Sequence, residues 1–489
     1  MKALNDILKN VKILERRGPE DAVISNIAFD SRKASGNSLF VAVSGTRVDG
    51  HDYIPDAVSA GSNVVVCEKI PGNIPGQITV VRVPDSKEAL GLISANYFGN
   101  PSRKLKLVGI TGTNGKTTVA TLLHSLFEKL DHRSGLISTV RNMVSDVEVA
   151  ATHTTPDPLQ TNELMKAMVE ENCEYCFMEV SSHAIDQRRI AGLGFAGAVF
   201  TNITHEHLDY HGNFETYLGV KKQFFDALPS GAFALTNIDD RNGRVMLQNT
   251  RAVKKTYGLK GMADFKCRII EGSMEGLHLN IDGEELWVHL TGRFNAYNIL
   301  AVYAAARILG EEKERILTSI SSLPPVEGRF EPIRAAGNIT GIVDYAHTPD
   351  ALDNVLSALS GVRTGNESLI CVFGAGGDRD PSKRQLMGRI AVHYSDKVII
   401  TSDNPRNEDP QKIIADIMKG INAESGGKVV SIISREEAIR AACMMANPGD
   451  IILVAGKGHE KYQCIGNERI HFDDREVLKK YLLLKTNRS

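Results

Sequence analysis

Neither sign of charge prevails in this sequence. Lys and Arg number 57 against 59 Asp and Glu, for a formal net charge of −2. That balance leaves no electrostatic footprint for a nucleic acid or a membrane surface. Long apolar runs are missing too, and none approaches the roughly 18 residues of a spanning helix. The opening residues, MKALNDILKN, mix charge into apolar positions and carry no h-region or small-residue cleavage site. Cysteine is sparse and odd in number, 7 scattered over the chain, which argues against a disulfide framework. No repeat of fixed period and no low-complexity tract occurs. These absences predict a soluble cytoplasmic protein with small-molecule partners, no nucleic acid and no membrane, and a monomer is expected.

What is present is ordinary globular material, 42% hydrophobic and 24% charged. A length of 489 residues predicts roughly three domains. SLFVAV (38–43), NVVVCE (63–68) and ITVVRV (78–83) read as strands, with the helix-like YIPDAVSAG between two of them. This is a small α/β unit, followed by YFGNPSRKLK (97–106), which has linker composition. From about 105 a strand runs into a Gly-rich loop and a helix, and further buried strands are expected at CFMEV (176–180) and AGAVFTNI (196–203). FNAYNILAVYAAARILG predicts a long helix closed by Gly310, and SSLPPVEGRFEP (321–332) is the second boundary. Four apolar runs after 340 then stop in polar or glycine-rich loops: GIVDYAHTPD, SLICVFGAGGDRD, KVIITSDNPR and DIILVAGKGHE. In an open parallel sheet such loops gather at the strands' carboxyl ends, where ligands bind. The expected division is 1–102, 103–331 and 332–489. The fold class is α/β throughout: a small N-terminal unit, a central P-loop domain with a mostly parallel sheet, and a Rossmann-like doubly wound third domain.

The strongest local signal is Gly109-Ile-Thr-Gly-Thr-Asn-Gly-Lys-Thr-Thr118. Glycines let backbone N–H groups face phosphate oxygens, and the helix that follows favours the anion. Lys116 would neutralise terminal phosphates and the Thr117 hydroxyl would sit on Mg²⁺. The usual spacing asks for Gly at 110, which is Ile110 here; the glycines fall at 109, 112 and 115. The loop alone does not separate an ATPase, a GTPase, a kinase and a ligase. Glu179 ends a buried strand and could hold a metal beside the phosphates, while SSHAID after it also reads as a helix cap. His205, His207, Asp209 and His211 could suggest zinc, yet Gly212 stops a helix too soon, so one histidine on Mg²⁺ is the alternative. Cys173 and Cys176 read as buried and inert.

TGTNGKTT, MEVSSHAIDQRR, HEHLDYHGNFETYLGVKKQFF, GRFNAYNILAVYAAA, EGRFEP, DYAHTPDAL, GAGGDRDPSKRQLMGRIA, SDNPR and AGKGHEKYQ follow one another in this order. Together with FDSRKASGNSLFVAVSGTRVDGHDYIPDAVSAG they resemble the Mur ligases of peptidoglycan assembly, from about residue 28 to 475. The resemblance implies ATP-dependent amide formation through an acyl phosphate. It points to the member that adds meso-2,6-diaminopimelate to UDP-N-acetylmuramoyl-L-alanyl-D-glutamate, with ATP as substrate and Mg²⁺ as cofactor. Carried over residue by residue, Gly112, Thr113, Asn114, Gly115, Lys116, Thr117 and Thr118 would hold the phosphates of ATP. Asn295 and Asn298 would lie near its adenine, and Arg329 and Asp344 near ribose and phosphates, with His347 close by. Thr117, Glu179, His207 and a carbamylated Lys221 would bind metal, and Lys116, Glu179, His207 and Lys221 would form the catalytic set. The family usually has Asp where this chain has Glu206. Ser31, Thr154, Thr155, Ser181, Gln187 and Arg189 would hold the UDP-muramoyl dipeptide.

Asp403-Asn404-Pro405-Arg406 resembles the diaminopimelate version of the third domain, and chemistry agrees. The far carboxylate of diaminopimelate suits the guanidinium fork of Arg406, whereas a lysine substrate would leave that charge unpaired. Arg384, Gly456 and Glu460 match the remaining contacts. Lysine addition, a folylpolyglutamate-synthetase-like ligase and a nucleotide-operated switch are the alternatives. Ligands contacted from three domains also imply a site that assembles when the third domain swings in.

Overall fold

A computed structural model describes residues 1–45, 48–72, 75–334 and 338–486. Thr46 and Arg47 of the N-terminal motif, and residues 487–489 of the third expected domain, lie outside it. The chain builds three large α/β sheets in succession. In the first, the strands run in the order Glu15–Arg17, Thr79–Arg82, Ser62–Cys67, Ser38–Val41 and Asn26–Ala28, parallel except for the first.

The central sheet has 11 strands. Its middle, in the order Ser134–Ile137, Tyr175–Glu179, Lys106–Thr111, Gly197–Phe200, Phe233–Asn237 and Val253–Gly258, is parallel. Helices cover both faces, so the strands read as near-continuous apolar runs. Val108, Ile110 and Phe177 face the helices Lys116–Lys129 and Arg293–Leu309, while Leu107, Cys176 and Met178 face Pro158–Glu170 and Phe214–Asp226. The long helix Arg293–Leu309 ends where Gly310 turns left-handed (φ 107°), as its sequence predicts. Gly109 lies within its strand, not in the phosphate loop. A Cβ there would stand 2.5 Å from the Phe224 ring, so this glycine makes room for packing.

The third sheet runs Glu331–Arg334, Thr340–Asp344, Ile451–Ala455, Leu369–Phe373, Lys397–Ile400 and Val429–Ser431. Only the first is antiparallel, and separate apolar cores on the two faces make it doubly wound. The four expected strands sit in its middle.

The joints between the sheets differ in kind. The stretch with linker composition at 97–106 is no loose linker: Gly99 caps the helix Ser86–Phe98, and Pro101 and Ser102 are buried, with Ser102 Oγ accepting from Gly194 N at 3.0 Å. Helix Ser86–Phe98 packs on Pro158–Glu170, and Gly91 comes so close to Ala191 that a Cβ would lie 2.6 Å from its carbonyl oxygen. The joint to the third sheet is mixed, with Met274 and Phe294 packed against the third domain's apolar core beside two polar ties. Asn114 Nδ2 donates to Asp350 Oδ2 at 2.5 Å, and Arg329 donates to Thr117 Oγ1 at 3.0 Å.

Candidate active site

The phosphate loop spans the gap from strand Lys106–Thr111 to helix Lys116–Lys129. Its backbone is held by the end of the neighbouring strand: Asn202 O accepts from Thr113 N (2.8 Å), Asn202 Oδ1 from Asn114 N (2.9 Å), and Thr201 Oγ1 donates to Asn114 O (2.6 Å). Gly112 and Gly115 are required by contact as well as by their left-handed backbones. A Cβ on Gly112 would fall 1.9 Å from Thr201 Oγ1, and one on Gly115 2.5 Å from Asn298 Oδ1. Lys116 Nζ donates to Gly112 O and Thr113 O at 3.1 and 2.7 Å. Thr113 meets Tyr217, and Thr117 and Thr118 are buried in the first helical turn.

Two buried groups flank this loop. Glu179 is fully buried at the end of its strand, accepting from Thr139 N at 2.8 Å, and among the described residues no cation pairs with it. Lys221 is 1% exposed on helix Phe214–Asp226 and donates to Gly112 O at 2.9 Å. Burial first, then the charge of Lys116, pushes the Lys221 amine well below its ordinary range, against the pull of Glu206. The neutral amine is thereby easier to reach than on an exposed lysine.

Glu206, which the sequence flagged only as a family departure, proves central. Its carboxylate lies 3.8 Å from His207 Nε2 and 4.0 Å from His347 Nε2 of the third domain. Desolvation raises this carboxyl, but His207, His347, Lys116 and Lys221 outweigh it and hold it below the usual range. His207 itself sits in the left-handed region (φ 57°), its ring against His183. His205, Asp209 and His211 do not join it around a common position: among the described residues no group of three or more His, Cys, Asp or Glu is poised as a metal cluster.

Asn295 and Asn298 are buried at the start of helix Arg293–Leu309, with Asn298 Nδ2 bonded to Asn295 Oδ1 at 2.9 Å. Arg329 stacks over Tyr345 at 4.4 Å while reaching Thr117. It does not pair with Asp344; Asp344 instead accepts the backbone N–H of Phe330 and Ala346 at 2.6 and 2.7 Å. That carboxylate therefore fixes the crossing between domains, where Phe330 is left-handed (φ 48°).

Across the central sheet, Thr154, Thr155, Ser181, Gln187 and Arg189 form one connected patch. Thr154 joins Thr139, and Thr155 bonds Glu179 O (2.8 Å). Arg189 bonds Thr155 O (2.9 Å) and forks onto Gln187 Oε1. Ser181 also caps the helix Ser182–Asp186, as the helix-cap reading of SSHAID expects. Ser31 opens a short turn capped by Asp30 in the first domain, and among the described residues its side chain makes no hydrogen bond.

The third-domain candidates gather at the carboxyl ends of strands Lys397–Ile400 and Ile451–Ala455. Asn404 Nδ2 donates to Glu460 Oε2 (2.9 Å), and the wholly buried Lys457 reaches Asn404 Oδ1 (3.0 Å), Glu460 (3.3 Å) and Asp403 (3.5 Å). Gly456 (φ 124°) leaves room for Asp403, 3.0 Å from where a Cβ would stand. Arg435, also buried, pairs with Asp474 and bonds Ala455 O (3.0 Å) beneath the loop. Arg384 is 2% exposed and already paired with Glu408 and Asp416. Pro405 is buried and Arg406 half-buried, with its Nη1 on Gly377 O (2.6 Å) and its backbone left-handed at φ 52°.

This order of loops can be compared with known proteins. Residues 23–98 match a model described as Mur ligase family, catalytic domain, residues 110–306 the Mur ligase middle domain, and residues 328–458 the Mur ligase, glutamate ligase domain. A UDP-N-acetylmuramoyl-L-alanyl-D-glutamate–2,6-diaminopimelate ligase of Cytophaga hutchinsonii is 52% identical over 480 residues, 98% of this chain and 99% of the relative. The chain belongs to the Mur ligase family. A solved ligase of the same description is 30% identical at a TM-score of 0.70, covering 100% of this chain and 99% of that one. Mycobacterium tuberculosis folylpolyglutamate synthase, solved with ADP and AMPPCP, is 17% identical over 76% of this chain (TM-score 0.61) and 92% of that one, and shares the fold alone. The protein is thus an ATP-dependent ligase, and the switch reading falls away.

The residues that sequence reasoning missed in this ligase are Thr201 and Asn202, which staple the phosphate loop, and the buried cations Lys457 and Arg435. Thr201 and Asn202 stand inside AGAVFTNI and Lys457 inside AGKGHE, so each was visible but carried no assigned role.

Proposed function

We propose that this ligase joins meso-2,6-diaminopimelate to UDP-N-acetylmuramoyl-L-alanyl-D-glutamate in the cytoplasm, as a monomer, consuming ATP. Residues 1–102 hold the UDP-sugar, 103–331 perform the phosphoryl chemistry and 332–489 present the amino acid. The observation that carries the reading is Arg406, half-buried beside the Asn404–Glu460–Lys457 network. A guanidinium fork matches a carboxylate and Glu460 matches an ammonium, so an amino acid with both at its far end fits.

The reaction begins when the dipeptide carboxylate attacks the γ-phosphorus of ATP, breaking its bond to the β-phosphate oxygen, so that ADP leaves and an acyl phosphate forms. The loop 112–118 fixes the phosphates, and Lys116 and Arg329 neutralise charge that builds on the transferred group. Arg189 orients the dipeptide from the patch around Thr155. The neutral amine of the incoming amino acid then attacks the acyl carbon; the tetrahedral intermediate expels phosphate, and the nitrogen gives up its proton to solvent or to the departing phosphate. Mg²⁺ suits the donors present: the Thr117 hydroxyl is a hard oxygen ligand, and Glu179 is a buried carboxylate with no direct ion pair among the described residues. Thr117, Glu179, His207 and a carbamylated Lys221 would hold the metal, which would supply positive charge to neutralise the phosphates. The depressed basicity of Lys221 supports the carbamate, because only a neutral amine takes up carbon dioxide.

The test is phosphate release from Mg-ATP and the UDP-dipeptide with meso-diaminopimelate, L-lysine or neither. Release that requires diaminopimelate, at on the order of a hundredfold greater kcat/KM than lysine, is expected from one unpaired charge worth about 3 kcal/mol. Release with lysine alone would keep the ligase and refute the Arg406 reading.

A further inference from the structure

A small hairpin, Tyr462–Ile465 paired with Glu468–His471, lies outside the third sheet. Its residues join neither apolar core of that domain, and its outer strand is exposed throughout. Core burial therefore does not account for it. Its inner strand is spent on one target, the 403–406 loop. Gln463 Nε2 donates to Asp403 O at 2.6 Å, and Cys464 N donates to Asn404 Oδ1 at 2.9 Å. Arg406 N donates to Cys464 O at 3.1 Å, and Gly466 N donates to Arg406 O at 2.8 Å. Arg406 and Ile465 thus form a lone parallel bridge.

The bonds flank a strained residue. Arg406 is left-handed without being glycine, a conformation that an L residue holds only where its surroundings over-determine it. Both of its main-chain polar groups are committed to the hairpin, while its Nη1 is tied to Gly377 O on the other side. We infer that the 462–471 hairpin is a splint that sets the direction of the Arg406 guanidinium and the Asn404 amide, making Gln463 and Gly466 positioning residues for amino-acid selection. This rests on the reading of Arg406 as an amino-acid contact.

The test uses the full-length enzyme and three variants. Gln463→Ala removes the donor to Asp403. Gly466→Ala sets a Cβ on a left-handed position (φ 56°) with open space around it, so it perturbs the backbone bond without a clash. Glu468→Ala, on the outer strand, is the control. KM for meso-diaminopimelate is expected to rise roughly fivefold in each of the first two, the scale of one hydrogen bond. Its preference over lysine falls by a similar factor, while kcat and KM for ATP and the UDP-dipeptide stay within about twofold. Gln463→Lys, which keeps a donor, restores part of the loss, and Glu468→Ala matches the parent. An unchanged amino-acid KM in both hairpin variants, or an equal loss in KM for all three substrates, overturns the splint. If the parent enzyme prefers a different amino acid, the diaminopimelate reading fails by itself, and the splint still stands or falls on the KM for that amino acid.

Discussion

Replacing Asp474 by alanine isolates the deepest charge in the third domain. Arg435 and Asp474 are both 0% exposed, joined by two hydrogen bonds of 2.8 and 2.7 Å. The pair's net contribution is small, because desolvating both ions offsets most of their attraction. Removing one partner is different: it takes the carboxylate from the Arg435 guanidinium, whose Nη1 already lacks a partner among the described residues. About 3–5 kcal/mol of destabilisation follows. For a domain of this size that lowers the unfolding midpoint by roughly 10 °C. Asp474→Leu combined with Arg435→Met, which removes both charges, is expected within about 1 kcal/mol of the parent. The only tryptophan, Trp287, lies on the central sheet, so its fluorescence serves as an internal control. Exchange protection of amides in strand Ile451–Ala455 reports the affected domain. Because Arg435 also holds Ala455 O at the root of the 456–460 loop, KM for the amino acid rises alongside. A single variant less than about 1 kcal/mol destabilised, or a double variant as unstable as the single, refutes the argument.

Three further outcomes are expected. Stripping carbon dioxide and bicarbonate from the buffer lowers kcat, and bicarbonate restores it; a Lys221→Arg enzyme is inactive and blind to bicarbonate, and carbon NMR with labelled bicarbonate reads the carbamate directly. Burial depresses His124 from 6.5 to about 4, so the unfolded chain takes up this proton first as pH falls. Its contribution is complete above about pH 6.5 and declines through pH 4, by up to about 3 kcal/mol; urea titrations of His124→Gln between pH 7 and 4 lose this slope. Gly91→Ala drives a methyl against Ala191 at 2.6 Å, so KM for the UDP-dipeptide rises severalfold with KM for ATP unchanged, measured by phosphate release.

Much of this arrangement was legible before the structure. Apolar runs located the buried strands of the central and third sheets, and the phosphate loop declared itself between a strand and a helix. Local signals stop there. Thr201 and Asn202 hold the loop from 87 and 88 residues away, a separation no motif encodes. Lys457 and Arg435 look like surface charges because burial is decided by neighbours distant in sequence. His207, Phe330 and Arg406 carry left-handed backbones without the glycine that would have announced them. The segment 97–106 misled for a related reason: Gly and Pro mark where the chain turns, and here the turn is a packed joint.

That joint has a mechanical meaning. Gly91 lies so near the Ala191 backbone that the first two sheets meet with little room to slide past one another. The third sheet is attached through apolar packing of Met274 and Phe294 on its core and through two polar ties, Asn114–Asp350 and Arg329–Thr117, both of which end on the phosphate loop. A third domain that swings as ligands bind would have to break and remake both ties, so a change at the nucleotide loop would be felt first at this joint.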